Sequence, residues 1–176
     1  MIRPPRLRIR HLLSVVALAA APLALPATPA GADGPHANLH CTNTFTEELH
    51  PPNTLVFRHR AATSNGLTGT ADCTGTVDGY QVTGTGVFGQ QAQGAGDCIT
   101  GSGQIQAELQ IPTTGGVMTV VARSDYAYDN GSGPVGQPAR LTGDMTGIVV
   151  PIEFDGDCVN TPISRNHGAF IGTVIT

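Results

Sequence analysis

The sequence predicts an all-β fold, and three observations support this prediction. Apolar and polar residues alternate strictly over 104–111, which is the pattern of a half-buried antiparallel strand. A glycine-bearing turn at 112–116 leads into a β-branched segment at 117–128, so the two segments predict a hairpin. Turn residues recur at short intervals, and helical periodicity is nearly absent after residue 33.

The same alternation predicts about eight strands, near 38–47, 54–60, 67–76, 79–88, 104–111, 117–128, 139–150 and 167–175. Turns or loops are expected between them, at 65–66, 78–79, 89–97, 130–134 and 155–156. Because sequential hairpins explain such short spacings most simply, we expect a single antiparallel barrel. A two-sheet β-sandwich is the alternative.

The first 32 residues have the features of a secretory signal peptide. Four arginines precede a mostly apolar run of 14 residues at 12–25, and Ala30-Gly31-Ala32 offers small residues before a cleavage point. The run is shorter than the roughly 20 residues that a transmembrane helix needs. We therefore expect a secreted, extracellular protein whose mature part, 33–176, is a single all-β domain of 144 residues.

The mature chain is acidic. All nine basic residues are arginines, and the five that remain after signal removal face 13 acidic residues, which gives a formal net charge of −8. Such a chain lacks the basic surface that binds a nucleic-acid backbone or an anionic membrane. We expect neither nucleic acid nor, after signal removal, a membrane as partner.

Four cysteines in an exported chain predict two disulfides. Cys98 and Cys158 each follow a Gly-Asp pair, so we expect them to pair with each other and leave Cys41 to Cys73. Consecutive cysteines are separated by 32, 25 and 60 residues without a Cys-x-x-Cys, which argues against zinc. We interpret the aspartates before the cysteines as turn residues and expect neither a metal nor a cofactor.

The ligand-binding candidates are aromatic and cationic. Tyr126 and Tyr128 share one face of the strand at 117–128, and Arg123 lies on the opposite face nearby. Arg165 and His167, before the last strand, could add polar groups. The simpler interpretation is that the tyrosines plug one end of the barrel as ordinary core. The functional alternative is the mouth of a cavity, in which the tyrosine hydroxyls and a nearby arginine orient a small ligand.

One acidic pair lies at the end of the predicted strand at 38–47. Glu47 and Glu48 must point to opposite faces, so only one of them could enter a cavity. We interpret both as solvated, and no sequence pattern assigns a catalytic residue.

The second half of the chain carries a resemblance. Gly-Asp-Cys-Ile-Thr-Gly-Ser-Gly from residue 96, the Tyr-Ala-Tyr strand, and Gly-Asp-Cys-Val-Asn-Thr-Pro-Ile-Ser-Arg from residue 156 are its motifs. The region 96–176 resembles small secreted actinobacterial all-β proteins of uncharacterised function. This resemblance covers a little over half of the mature chain. It implies an exported all-β domain and transfers no catalytic residue.

These observations favour a non-enzymatic role over an enzyme. We expect a secreted, disulfide-stabilised β-domain that binds a small apolar or amphipathic molecule or takes part in a surface interaction. One alternative is a barrel enzyme of the cyclase or isomerase type, which needs a shaped cavity and one acid or base. A second is an inhibitor of an extracellular enzyme that presents 129–138 as an exposed loop.

Overall fold

The computed structural model describes residues 34–130, 136 and 138–176. The expected signal peptide and residues 131–134 of an expected turn lie outside the described residues. The described chain forms ten β-strands, and it contains no helix that is long and apolar enough to cross a membrane. The strands are β1 Ala37–Asn53, β2 Arg58–Ser64, β3 Gly69–Val77, β4 Tyr80–Gln81, β5 Gly86–Gly96, β6 Thr100–Thr113, β7 Gly116–Asp129, β8 Ala139–Gly143, β9 Met145–Phe154 and β10 Ile163–Ile175.

All strand pairs are antiparallel, and eight of the strands form a closed, barrel-like ring. From β5 to β10 each strand pairs with the next one along the chain. The ring closes because β1 pairs with β10 along one edge and with β2 along the other, while β2 pairs with β5. The all-β prediction is therefore confirmed, and the structure contains one closed sheet where the alternative had two.

Strands β2 and β3 both lie between β1 and β5, at different positions along the length of these two strands. The first half of β1 pairs with β3 and its second half pairs with β2, and β5 divides its edge between the same two strands. As a result, β3 covers one end of the ring and β2 the other. The short β4 pairs only with β3.

Four segments differ from the expectations. The segment 89–97 was expected to be a loop because of its glycine, alanine and glutamine content, yet β5 continues to Gly96. The segment expected at 54–60 begins four residues later, at Arg58. The strands expected at 79–88 and 139–150 are each interrupted, at 82–85 and at Asp144.

The end of the ring near β3 is filled by the hydrophobic core. Phe88, Leu109 and Val120 lie opposite one another on β5, β6 and β7, and none of the three is exposed. The other large side chains buried at this end are Leu39, Val77, Ile111, Met145, Phe170 and Val174. Burying each of these side chains stabilises the fold by roughly 1.5–3 kcal/mol before entropic costs.

The two disulfides have the pairing expected from the sequence. Cys41 and Cys73 are direct cross-strand partners on β1 and β3. Cys98 lies in the β5–β6 loop and Cys158 in the β9–β10 loop. These two loops leave the ring from opposite sides of the end near β2, so the Cys98–Cys158 disulfide crosses that end.

Candidate functional site

The interior of the ring near β2 holds a cavity of about 140 Å³. All eight ring strands contribute to its wall. The wall is mainly apolar, and its largest apolar side chains are Phe45, Leu49, Ile105, Leu141, Phe154 and Ile163. Phe45 separates the cavity from the filled end, since its ring lies 5.9 Å, centroid to centroid, from the ring of Phe88. For scale, an engineered apolar cavity of about 150 Å³ holds a benzene molecule.

Two tyrosines form one wall because glycines make room for their rings. Tyr126 is the cross-strand neighbour of Gly103, and Tyr128 is that of Gly101. A β-carbon added at Gly101 would lie 2.6 Å from ring carbons of Tyr128, which is closer than packed atoms approach. The next strand continues the pattern, since Gly94 and Gly96 pair with Gly103 and Gly101. The glycines that suggested a loop at 89–97 therefore lie in a strand and form a flat surface against the tyrosines.

A buried carboxyl group lies in the cavity wall. Glu47 accepts hydrogen bonds from Gln90 Nε2 at 2.7 Å and from Asn166 Nδ2 at 3.0 Å, one on each carboxyl oxygen. Burial raises the pKa of Glu47 above its ordinary value, while the hydrogen bonds from Asn166 and Gln90 lower it in part. The neutral acid is thus favoured more here than in water.

Replacing Glu47 by glutamine is expected to stabilise the protein at high pH. The folded state binds the Glu47 proton more tightly than the unfolded chain does. Its contribution to stability is therefore present at low pH and is lost as the pH rises from about 4.3, the ordinary glutamate value, through the raised value in the fold. Urea unfolding at pH 8 should give E47Q a larger free energy of unfolding than the wild type, and the difference should shrink toward pH 4.

The matched control is E48Q, because Glu48 is the exposed neighbour of Glu47. Its Oε2 lies 3.6 Å from Nε2 of His50, which is exposed as well. This exposed pair contributes little, so E48Q should leave the free energy of unfolding nearly unchanged at pH 8. An E47Q variant less stable than the wild type at pH 8 would show that two oxygen acceptors for Gln90 and Asn166 matter more than the relief of a buried charge.

Arg60 supplies the positive charge of the cavity wall. Its Nη2 donates a hydrogen bond to the backbone oxygen of Gly96, which fixes the guanidinium. Its Nε and Nη1 are buried and have no hydrogen-bond partner among the described residues. Burial lowers the pKa of Arg60, and the nearby Tyr128 and Tyr126 act in the opposite direction. The cavity wall therefore contains a partly desolvated cation with two donor nitrogens that have no partner in the described part of the chain.

Both tyrosine hydroxyls lie near Arg60, and Tyr126 also lies near Glu47. Burial raises the pKa of Tyr126 to about 12, with smaller contributions from Tyr128 and Glu47 in the same direction and from Arg60 in the opposite one. Tyr128 donates a hydrogen bond of 2.5 Å to the backbone oxygen of Asp97, and burial raises its pKa as well. Both hydroxyls therefore stay protonated at neutral pH. Two more polar atoms of the wall, Asn53 Oδ1 and Asn166 Oδ1, are buried without a hydrogen-bond partner in the described part of the chain.

Loops cover the end of the ring next to the cavity. The backbone nitrogen of Cys98 donates to the oxygen of Thr54 at 3.0 Å, which joins the β5–β6 loop to the β1–β2 loop. Asn130 donates through Nδ2 to the Cys98 oxygen at 2.7 Å. The β1–β2 loop also exposes three apolar side chains in a row, Leu55, Val56 and Phe57. The Cys98–Cys158 disulfide and these hydrogen bonds thus form a cross-linked cover.

The aspartates before the cysteines shape these loops. Asp97 Oδ1 accepts hydrogen bonds from the backbone nitrogens of Ile99 and Thr100, at 2.7 and 2.9 Å. Asp157 Oδ1 accepts three in the same way, from residues 159, 160 and 161. Hydrogen bonds from Thr161 and Asn160 hold the pKa of Asp157 well below its ordinary value. The interpretation as turn residues is confirmed for Asp97 and Asp157, whereas Asp72, which precedes Cys73, lies within β3.

Two of the five ligand-binding candidates lie in the cavity wall, namely Tyr126 and Tyr128. Arg123 is exposed on the outer face of β7, where its Nε donates to Gln106 Oε1 at 3.3 Å. Arg165 is exposed, and the ring of His167 lies 3.2 Å from Thr46 Oγ1 at the surface. The alternation on β10 explains this, because Asn166 between them is the residue that points inward.

Sequence reasoning missed the charged and amide groups of the cavity. The interpretation of Glu47 as solvated was wrong, because it shares the inner face of β1 with Phe45 and Leu49. An acid on the apolar face of an alternating strand is the signal that could have found it. Gln90 gives the same signal, since it lies between Phe88 and Ala92 on the inner face of β5.

Comparisons with protein-family models, curated proteins and solved structures find no match for this chain. The resemblance to secreted actinobacterial proteins therefore stays a prediction. The fold and the site together define a disulfide-linked β-ring with a small, mainly apolar cavity. The polar groups of this cavity include one carboxyl group, one guanidinium and two tyrosine hydroxyls.

Proposed function

We propose that this protein binds a small amphipathic molecule inside the ring. The observation that carries the proposal is the cavity beside Tyr126 and Tyr128, which combines an apolar wall with buried polar atoms that have no partner among the described residues. Ligand sites in proteins have this composition, in which apolar side chains supply contact area and a few polar groups set orientation. A buried polar atom without a partner costs free energy, and a polar group of a bound molecule would offset that cost.

Filling the cavity tests this proposal. Ala92 points into the cavity and is 8% exposed, so A92L places three additional carbons in the ligand space. Titration calorimetry with benzyl alcohol should show saturable one-to-one binding to the wild type, with affinity at least about tenfold weaker for A92L. Ala127, exposed on the outer face of β7, gives the matched control A127L, which should bind as the wild type does. Equal binding by A92L and the wild type would contradict the proposal.

An enzyme of the cyclase or isomerase type is the second candidate, and Glu47 is the observation that favours it. A buried carboxyl group with a raised pKa, close to Tyr126, is a suitable general acid or base. The two candidates differ in the fate of the bound molecule. If the protein is a carrier, the ligand is recovered unchanged. If it is an enzyme, E47Q retains the molecule but no longer converts it.

We also propose that the protein is secreted after cleavage behind Ala32. Two disulfides are compatible with an oxidising compartment. Native mass spectrometry of protein purified from the culture medium should give the mass of residues 33–176 with both disulfides formed and any retained ligand. A surface interaction role would draw on the exposed Leu55, Val56 and Phe57. The inhibitor alternative rests on 129–138, most of which lies outside the described residues.

A further inference from the structure

We propose that the ligand is a small carboxylate with a ring-sized apolar body, such as an arylcarboxylate, and that Arg60 binds its carboxylate group. This inference rests on the proposed binding function and adds the chemical class of the ligand. Three properties of the cavity support it: its size, the state of Arg60 and the state of Glu47.

The size of the cavity limits the apolar part of the ligand. A volume of about 140 Å³ holds one six-membered ring and a small substituent, but not two fused rings or a long acyl chain. Phe45 blocks extension into the filled end, where Phe88 lies behind it. The ring of the ligand would pack against the apolar wall formed by Ile105 and Leu141.

The guanidinium of Arg60 selects the charge of the ligand. Its Nη2 is held by the Gly96 oxygen, while Nε and Nη1 are buried without a hydrogen-bond partner in the described chain. An oxygen acceptor of a ligand would satisfy Nε or Nη1, which lie on different edges of the guanidinium. An anionic acceptor gains more than a neutral one, because charge-assisted hydrogen bonds are about twice as strong as neutral ones. Burial also lowers the pKa of Arg60.

The hydrogen bonds and the burial of Glu47 argue against a cationic ligand. Each of its carboxyl oxygens already accepts a hydrogen bond, from Gln90 and from Asn166. Burial further favours its neutral form, so it attracts a cation less and repels a carboxylate less than a free glutamate would. Arg60 is therefore the charged wall group whose donor nitrogens lack partners in the described chain, and the Asp97 carboxylate acts on its charge from nearby.

Titration calorimetry at pH 7 with benzoate, benzyl alcohol and benzylamine tests the inference, because the three share one ring and differ in charge. Benzoate should bind the wild type about tenfold or more tighter than the other two ligands. R60Q should lose about ten- to a hundredfold of benzoate affinity, as expected for removal of hydrogen bonds to a charged group, and keep its affinity for benzyl alcohol. The retained benzyl alcohol binding also shows that the variant is folded.

Two further variants complete the experiment. R60K keeps the charge without the planar guanidinium and should bind benzoate with intermediate affinity. R123Q removes the exposed arginine on the outer face of β7 and should bind benzoate as the wild type does. If benzyl alcohol or benzylamine binds as tightly as benzoate, or if R60Q leaves benzoate affinity unchanged, the carboxylate inference is wrong and cavity binding stands. If none of the three ligands binds the wild type, the proposed function fails as well.

Discussion

Replacing Cys98 and Cys158 together by alanine is expected to lower the free energy of unfolding by about 4 kcal/mol. The disulfide joins residues 60 positions apart, so its loss frees a long loop in the unfolded chain. Both cysteines are buried, at 1% and 5% exposure, and their loops cover the cavity. We therefore also expect faster release of benzyl alcohol from the double variant. Urea unfolding and relaxation-dispersion NMR measure the two effects.

The second disulfide provides the matched control. Cys41 and Cys73 are separated by 32 residues, so the same entropic argument gives a slightly smaller loss, roughly 3.7 kcal/mol. This pair lies on adjacent strands away from the cavity cover, and its removal should not change the release of ligand. Faster release in both double variants would show that the Cys98–Cys158 link has no particular role at the cavity.

Replacing Phe88 by alanine should lower the free energy of unfolding by about 4 kcal/mol, which is typical of a large aromatic removed from a packed core. Phe88 is fully buried at the filled end and packs against Phe45, the residue that separates this end from the cavity. The surrounding strands are joined in a closed ring and have little freedom to collapse into the space. Urea unfolding measures the loss.

Val87 is the control for this variant, because it is the preceding residue on β5, points outward and is 38% exposed. V87A should cost less than about 1 kcal/mol, as is usual for exposed positions. A loss of comparable size for V87A and F88A would mean that the inner and outer faces of β5 are assigned incorrectly.

The alternation of apolar and polar residues predicted most strands and their inner faces. This worked because side chains of a strand point alternately to its two faces, so the pattern is visible within each strand alone. It could not predict how the ring closes. The β1–β10 pairing joins residues such as Leu39 and Val174, which are 135 positions apart in the sequence and carry no local signal for each other. It also failed at 89–97, where Gly94 and Gly96 look like loop residues until Tyr126 and Tyr128 are placed over their cross-strand partners.

The sequence predicted the tyrosines of the candidate site but not Arg60. Tyr126 and Tyr128 lie on one long strand, so their shared face followed from the sequence. Arg60 lies near the start of a strand that begins later than expected, and its role depends on the Gly96 oxygen of a neighbouring strand. Burial with unsatisfied donors is a property of the assembled ring, so the Arg60 site could not be found from the sequence of β2 alone.

The most direct test of cavity binding is a crystal structure of the protein with benzoate. We expect the ring of benzoate between Phe45, Ile105 and Leu141, with a carboxylate oxygen within hydrogen-bonding distance of Arg60 Nε or Nη1. A structure at saturating benzoate in which the cavity holds only water, or in which side chains have collapsed into it, would contradict the proposal that this protein binds its ligand inside the ring.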